Sequence, residues 1–384
     1  RCLSMSTASV PTRTSIRKAA LGLAVSGSAP TMLVVIAGRV LQGLGGGALS
    51  TVMLTAITRA YPDSQRARMM ALTSSAWVVP ALLGPTVAGF VAEALHWRLV
   101  FWGIVPLLLV VGAMTVPRFR HLDPPVAARP PRGRLAAALT LALGTGLFLT
   151  GLGAASAWLA ALLAVPGAAA AVYGLRALMP AGIARLGRGL PAVVASRGLA
   201  FAAVVGVEVF LALMLTAVHG YSSTVTGAVI ATGSVSWSVG SWLQSRLDQR
   251  SAATRGPRLR AGAAVLLVGL GLQVAALYAA WSPLVIVVAG WVLAGLGVGM
   301  THATASVVAF ALTPAGQEGR VSAALTIADQ WTSAVSAGVG GALLALAGRL
   351  GRAQPDAIGL AMAFVIGLCG LAVLATWRSG PAQA

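Results

Sequence analysis

Long apolar runs, separated by short segments rich in Arg, Pro and Gly, recur along almost the whole chain. A helix needs about 20 mostly apolar residues to cross hydrocarbon. Against that length the runs predict spans near 31–57, 69–92, 98–116, 135–153, 157–175 and 198–217. Five more are predicted near 224–243, 261–281, 284–312, 321–348 and 357–377. A shorter run, Ala19 to Ala29, closes at Pro30 and is too short to cross as a helix. With Arg17 and Lys18 before it, this run also resembles the basic and apolar parts of a signal peptide. The expected class is an all-α integral membrane protein.

Composition strengthens this reading. Of 384 residues 58% are hydrophobic and 9% charged, which leaves little chain for a soluble domain. A net charge of +19 would suggest nucleic-acid binding in a soluble protein. Here the charge sits in short loops, where it orients spans, and no nucleic-acid partner is expected. With loops assigned alternately to the two faces, 23 of the 27 Lys and Arg residues fall on one side. Only Arg98, Arg349 and Arg352 fall on the other, and Arg39 lies within a span. The basic side is cytoplasmic by the positive-inside rule. Cys2 and Cys369 stand at opposite ends of the chain, so neither a metal cluster nor a disulfide framework is expected. Arg outnumbers Lys so heavily, with Lys18 the sole lysine, that a GC-rich bacterial genome and a bacterial plasma membrane are expected.

Residues 38–47, GRVLQGLGGG, match residues 290–299, GWVLAGLGVG, at seven of ten positions. Both segments lie in spans running from outside to inside. Each is followed by an Arg-bearing cytoplasmic loop and the tripeptide ALT, at 71–73 and 324–326. Parallel repeats of this kind build many secondary transporters, with the substrate site near mid-membrane between the halves. About 90 residues precede Gly290 within its half and 37 precede Gly38. The difference of about 55 residues corresponds to two helices and a loop. The chain also begins with Arg1, and the expectation is that the sequence starts late.

The run Arg39, Gln42, Gly43, Gly45 resembles the R-x-x-Q-G-x-G signature on the fourth helix of the major facilitator superfamily. PALLGPTVAG, 80–89, is similar to that family's fifth-helix antiporter motif: Gly84, Pro85 and Gly89 match, while Pro80 and Ala88 stand where glycine is usual. HWRLVFWGIVP, 96–106, resembles the opening of the sixth helix in drug:proton antiporters. The resemblance implies two helix bundles with two extra helices between them, as in the 14-helix exporters. The implied divisions are an incomplete first bundle over 1–117, a loop and linker pair over 118–197, and a six-helix bundle over 198–384. It further implies proton-coupled efflux of amphiphilic small molecules or drugs. The partners would be a small-molecule substrate, protons and the lipid bilayer, and the expected state is a monomer. No cofactor is expected, the proton gradient supplying the energy. A narrow metabolite exporter and a non-transporting remnant are the alternatives. No H-E-x-x-H, G-x-S-x-G or Walker motif suggests an enzyme.

Arg39 lies within a span, where a guanidinium needs a partner or water. It shares a helix face with Gln42 and Gly43 at i, i+3 and i+4. It would either tune the proton affinity of a nearby carboxylate, as the resemblance implies, or form a structural ion pair. Glu208, central in 198–217 with no basic residue in that span, and Asp329, in TIADQW, are the other candidates for binding protons. His302 titrates in the right range as a residue type, yet a lone His on a Gly-rich helix more often packs as a polar residue. Trp77, Gln330 and Trp331 are candidates to line a substrate cavity, with Trp237 and Trp242 also able to stack on a flat substrate. By the resemblance, the bend at Gly84 and Pro85 would seal the cavity against proton leak; an ordinary kink is the alternative. Glu93, Asp123, Asp248, Glu318 and Asp356 read as solvated end or loop charges.

Overall fold

The computed structural model describes residues 9–60, 78–119, 132–279, 283–314 and 317–380. Among them the chain forms twelve α-helices and no strand. These are α1 (Ser9–Gly27), α2 (Met32–Ala60), α3 (Val78–Val91), α4 (Arg98–Phe119), α5 (Arg132–Gly153) and α6 (Ala157–Leu178). They continue with α7 (Leu190–Leu213), α8 (Ser223–Arg250), α9 (Arg255–Leu277), α10 (Pro283–Ala311), α11 (Glu318–Arg349) and α12 (Gln354–Thr376). Single π-helical turns extend α3 at Ala92–His96 and α7 at Met214–Val218. Among the described residues, eight helices are long and apolar enough to cross a membrane: α4 to α7 and α9 to α12. The apolar part of α2, Met32–Gly47, is shorter.

Three elements differ from expectation. The run ending at Ala29 is not an isolated eleven-residue segment: α1 begins at Ser9 and has 19 residues. It gains its stability by packing on α2. The span expected over 224–243 forms as α8 but is too polar to count among the eight. Thr232, Ser236 and Ser238 bond within the helix, donating to the Val229, Gly233 and Ser234 carbonyls. The span expected from 198 starts at Leu190, with Pro in its first turn, which brings Arg197 inside the helix. The first part of the span expected over 69–92 lies outside the described residues.

The chain divides into two compact units, Arg1–Arg129 with Ser223–Gly227, and Pro130–Ser222 with Ala228–Ala384. The linker pair α5 and α6 thus belongs to the same unit as α7, α8 from Ala228 onward, and α9 to α12. In the first unit α1 and α2 meet through glycines. A Cβ on Gly38 would lie 2.7 Å from the Gly22 carbonyl oxygen, and one on Gly45 would lie 2.5 Å from that of Ser15. The second unit repeats this contact between α9 and α10. A Cβ on Gly290 would lie 2.8 Å from the Gly269 carbonyl oxygen, and one on Gly297 would lie 2.7 Å from that of Gly262. Gly38 and Gly45 are the repeat counterparts of Gly290 and Gly297. The internal match therefore marks one helix-pair geometry, used once in each unit, in which small residues let backbones touch.

In the second unit α7 is central. Its Val207, Phe210, Leu211 and Met214 are buried with Leu266 and Leu270 of α9, Trp291 of α10, and Ile358, Met362 and Val365 of α12. α5 and α6 form a hairpin closed by the same means, a Cβ on Gly174 reaching within 2.7 Å of the Ala137 carbonyl oxygen.

Candidate functional site

Arg197, counted as a loop charge from sequence, is two turns into α7 and points into the second unit. Its Nε donates to both carboxylate oxygens of Asp329 on α11 at 3.2 Å, and Nη2 donates to Oδ2 at 2.7 Å. Nη1 donates to the hydroxyl of Ser306 on α10. His302, one turn before Ser306 on α10, places Nε2 3.2 Å from the same Oδ2. The Ser306 hydroxyl in turn donates to the His302 carbonyl at 2.7 Å. One carboxylate is thus shared by a permanent cation and a titratable imidazole, with three helices meeting at a single oxygen. The side chains of Asp329 and Arg197 are 9% and 13% exposed and that of His302 is 23% exposed, the most accessible of the three.

Aromatic rings flank the imidazole. Phe201 lies one turn after Arg197 on α7, 5.7 Å from the His302 ring, and Trp237 of α8 lies 5.6 Å from it. Phe201 and Trp237 meet edge to face at 5.8 Å. All three are half-buried, so the cluster combines flat apolar surface with an imidazole.

Glu208 is half-buried on α7 and forms no hydrogen bond or ion pair among the described residues. Eleven residues separate it from Arg197, three turns of about 5.4 Å, which returns it to the same helix face. The two acidic candidates are therefore at different levels: Asp329 is paired and Glu208 is isolated.

The other candidates are placed as follows. Arg39 is exposed on α2; it donates 3.1 Å to Oε1 of Gln42 and its guanidinium lies over the Phe101 ring at 4.9 Å. It meets no carboxylate among the described residues, so its neighbours there are an amide and a ring. Gly45 is buried against α1, whereas a Cβ on Gly43 would meet nothing within 4 Å. Gly84, Pro85 and Gly89 all lie in α3, with Pro85 inside the helix. Trp77 lies outside the described residues. Gln330 is exposed on α11. Trp331 is turned to α5, where its indole N–H donates 2.9 Å to the Thr145 hydroxyl.

Asp248, expected to be merely solvated, is clamped at the junction of α8 and α9. Arg255 donates to it at 2.6 and 2.7 Å and Arg258 at 3.1 Å. Hydrogen bonding by Arg255, chiefly, holds its carboxyl below the usual range. The signal for Arg197 was present in the sequence: Arg197, Phe201 and Glu208 share one stripe at i, i+4 and i+11. The pairing of that stripe with His302, more than a hundred residues away, had no local signal.

The model of the Major Facilitator Superfamily matches residues 19–272, about two thirds of the chain. The chain belongs to this family. The family is one of multi-pass membrane transporters. The chain is 39% identical over 104 residues to a probable multidrug-efflux transporter of Mycobacterium tuberculosis, a match covering 25% of this chain and 22% of that protein. It is 31% identical over 96 residues to multidrug resistance protein 3 of Bacillus subtilis, covering 25% and 18%. The chain thus matches about a fifth of the length of the curated relatives. In fold it is similar to a POT family transporter solved with 5-aminolevulinic acid, with a TM-score of 0.64, 12% identity, and coverage of 95% of this chain and 80% of that one. It is likewise similar to an inward-facing bacterial homologue of ferroportin, with a TM-score of 0.59, 12% identity, and coverage of 97% and 83%.

Proposed function

We propose that the protein is a proton-coupled exporter of amphiphilic small molecules in a bacterial plasma membrane, and that His302 is its exchangeable proton carrier, with Asp329 and Arg197 as its setting. The observation that carries this reading is the sharing of Asp329 Oδ2 between Arg197 and His302. With the imidazole neutral, the guanidinium and carboxylate cancel. With it protonated, the cluster holds a net positive charge in a poorly hydrated place. At a common dielectric the carboxylate attracts the imidazolium from 3.2 Å more strongly than the guanidinium repels it from about 5–6 Å, so the cost of the protonated cluster is the burial of its net charge, several kcal/mol unless water or a counter-charge reaches it. A bias of about 3 kcal/mol shifts a two-state equilibrium by about a hundredfold. Protonation therefore favours a conformation that separates or hydrates the cluster, and proton release favours the packed one.

Phe201 and Trp237 supply ring faces beside the charge that changes, which suits a substrate with one flat apolar part. Glu208, on the same α7 stripe three turns away, is a second proton-binding group along the route. The drug-efflux names of the partial relatives support export over uptake. Proton antiport needs no cofactor, its energy coming from the gradient.

The test uses the full chain in proteoliposomes with an imposed pH gradient and a fluorescent amphiphilic dye. Gradient-driven dye movement is expected, abolished by Asp329→Asn, made insensitive to pH between 6 and 8 by His302→Gln, and reduced by Glu208→Gln. Dye movement indifferent to the gradient, or a His302→Gln protein with the wild-type pH profile, would overturn the proposal.

A further inference from the structure

α11 is held from two opposite sides. Asp329, Thr332 and Ser336 follow at i, i+3 and i+7 and face α7. The carboxylate meets Arg197, the Thr332 hydroxyl lies 2.7 Å from the Gly198 carbonyl oxygen and 2.6 Å from that of Ala328 in its own helix, and Ser336 lies against Gly206. At about 100° per residue, position 331 points nearly opposite to position 329. Trp331 accordingly faces α5 and packs with Ile327 against Leu141, Ala137 and Ala171 of the linker hairpin. Its indole N–H donates 2.9 Å to Thr145, a buried hydroxyl that passes its own proton to the Leu141 carbonyl at 2.7 Å. Thr145 is therefore fixed as an acceptor. One heptad beyond Trp331, Gly338 receives the side chain of Leu149. At the far end of the same stripe, Arg349 donates at 3.1 Å from both Nη atoms to the Ala154 and Gly153 carbonyls that close α5.

We propose that Thr145 of the linker hairpin is a positioning residue for proton exchange: through Trp331 it sets the rotation of α11 about its axis, and with it the reach of Asp329 to Arg197 and His302. The proposal rests on the reading of that cluster as the proton site. A carboxylate about 6 Å from its helix axis moves roughly 1–2 Å when the helix turns by 10–20°. That movement takes a 3.2 Å contact out of hydrogen-bond range. The titratable and charged groups facing Asp329 are His302 from α10 and Arg197 from α7. Among the described residues α5 brings none to this level, so Thr145 acts by helix position and not by charge. The two extra helices are then part of the coupling apparatus and not a passive spacer.

The experiment follows the imidazole of His302 in the purified full-length protein by NMR with labelled histidine, the resonance being assigned by its loss in His302→Gln. Thr145→Val, which keeps shape and removes the acceptor, is expected to displace the titration midpoint by about 0.5 pH unit or more. Thr145→Ser restores the acceptor and is expected to keep the wild-type midpoint. Arg349→Gln, which loosens the other end of the same interface, is expected to keep it too. A Thr145→Val midpoint equal to wild type would overturn the proposal. So would equal displacement by Thr145→Ser or by Arg349→Gln, because the cause would then be general loosening. Because the readout is titration and not transport, it separates from the proton-coupling reading. Dye flux independent of pH, together with a displaced midpoint in Thr145→Val, would remove the coupling and leave the positioning intact.

Discussion

Breaking the Arg197–Asp329 pair from one side should cost far more than removing both partners. The pair is largely buried, with side-chain exposures of 13% and 9%. Removing one partner from a buried ion pair typically costs about 3–5 kcal/mol, because a charge is left without its complement. Asp329→Leu leaves Arg197 with only the Ser306 hydroxyl, and the upper part of that range is expected. Arg197→Met leaves Asp329 with His302, which still bonds its Oδ2, and the lower part is expected. The double variant buries two apolar side chains in place of two charges and should lie within about 2 kcal/mol of wild type. The coupling energy of the cycle is then at least about 3 kcal/mol. Reversible unfolding in mixed detergent micelles, followed by far-ultraviolet circular dichroism, measures all four corners. Single-variant losses that simply add in the double variant would refute the account of the pair as an isolated, poorly hydrated unit. Transport adds a second arm: a double variant that folds well yet still couples dye flux to pH would show the pair to be structural only.

Two further outcomes follow from local geometry. The folded-state pKa of Asp248 is lowered, so its contribution to stability is present above the unfolded carboxylate value of about 3.9 and is lost as pH falls through the folded value. Amide protection around the α8–α9 junction, taken relative to the intrinsic exchange rate at each pH, should therefore fall as the pH drops into that range in wild type. In Asp248→Asn it should already be low at neutral pH, and identical protection profiles for the two proteins would remove the clamp from consideration. On α9, a Cβ on Gly269 would lie 2.6 Å from the Gly290 carbonyl oxygen, while one on Gly271, two residues on, meets nothing within 4 Å. Gly269→Ala should reduce thermal stability by several degrees, while Gly271→Ala should leave it unchanged or raise it slightly through helix propensity. Equal melting temperatures would argue against backbone contact between α9 and α10.

The membrane class, most helix positions and the family were legible from residue order alone. Each rests on local chain properties: 20-residue apolar length, glycine spacing, and a motif running over ten consecutive residues. The repeat at Gly38 and Gly290 also foretold a contact, since glycines at i and i+7 expose backbone on one helix face, and both units use that face for the same helix pair. What sequence could not decide was which polar groups meet. Arg197 read as a loop residue because apolar length says little about where a helix begins, and Pro191 starts α7 a full two turns earlier than the apolar run. His302 read as an ordinary packed histidine because its partner is on another helix, and the crossing of α7, α10 and α11 at one carboxylate oxygen depends on packing angles that no local pattern encodes. Arg39 and Trp331 show the reverse: their chemistry is visible in the sequence, but only tertiary structure gave them Phe101 and Thr145 as neighbours. Inside a bilayer the need to pair every backbone N–H and C=O holds the chain in helices, and the matching of the few polar side chains between them is left to close packing.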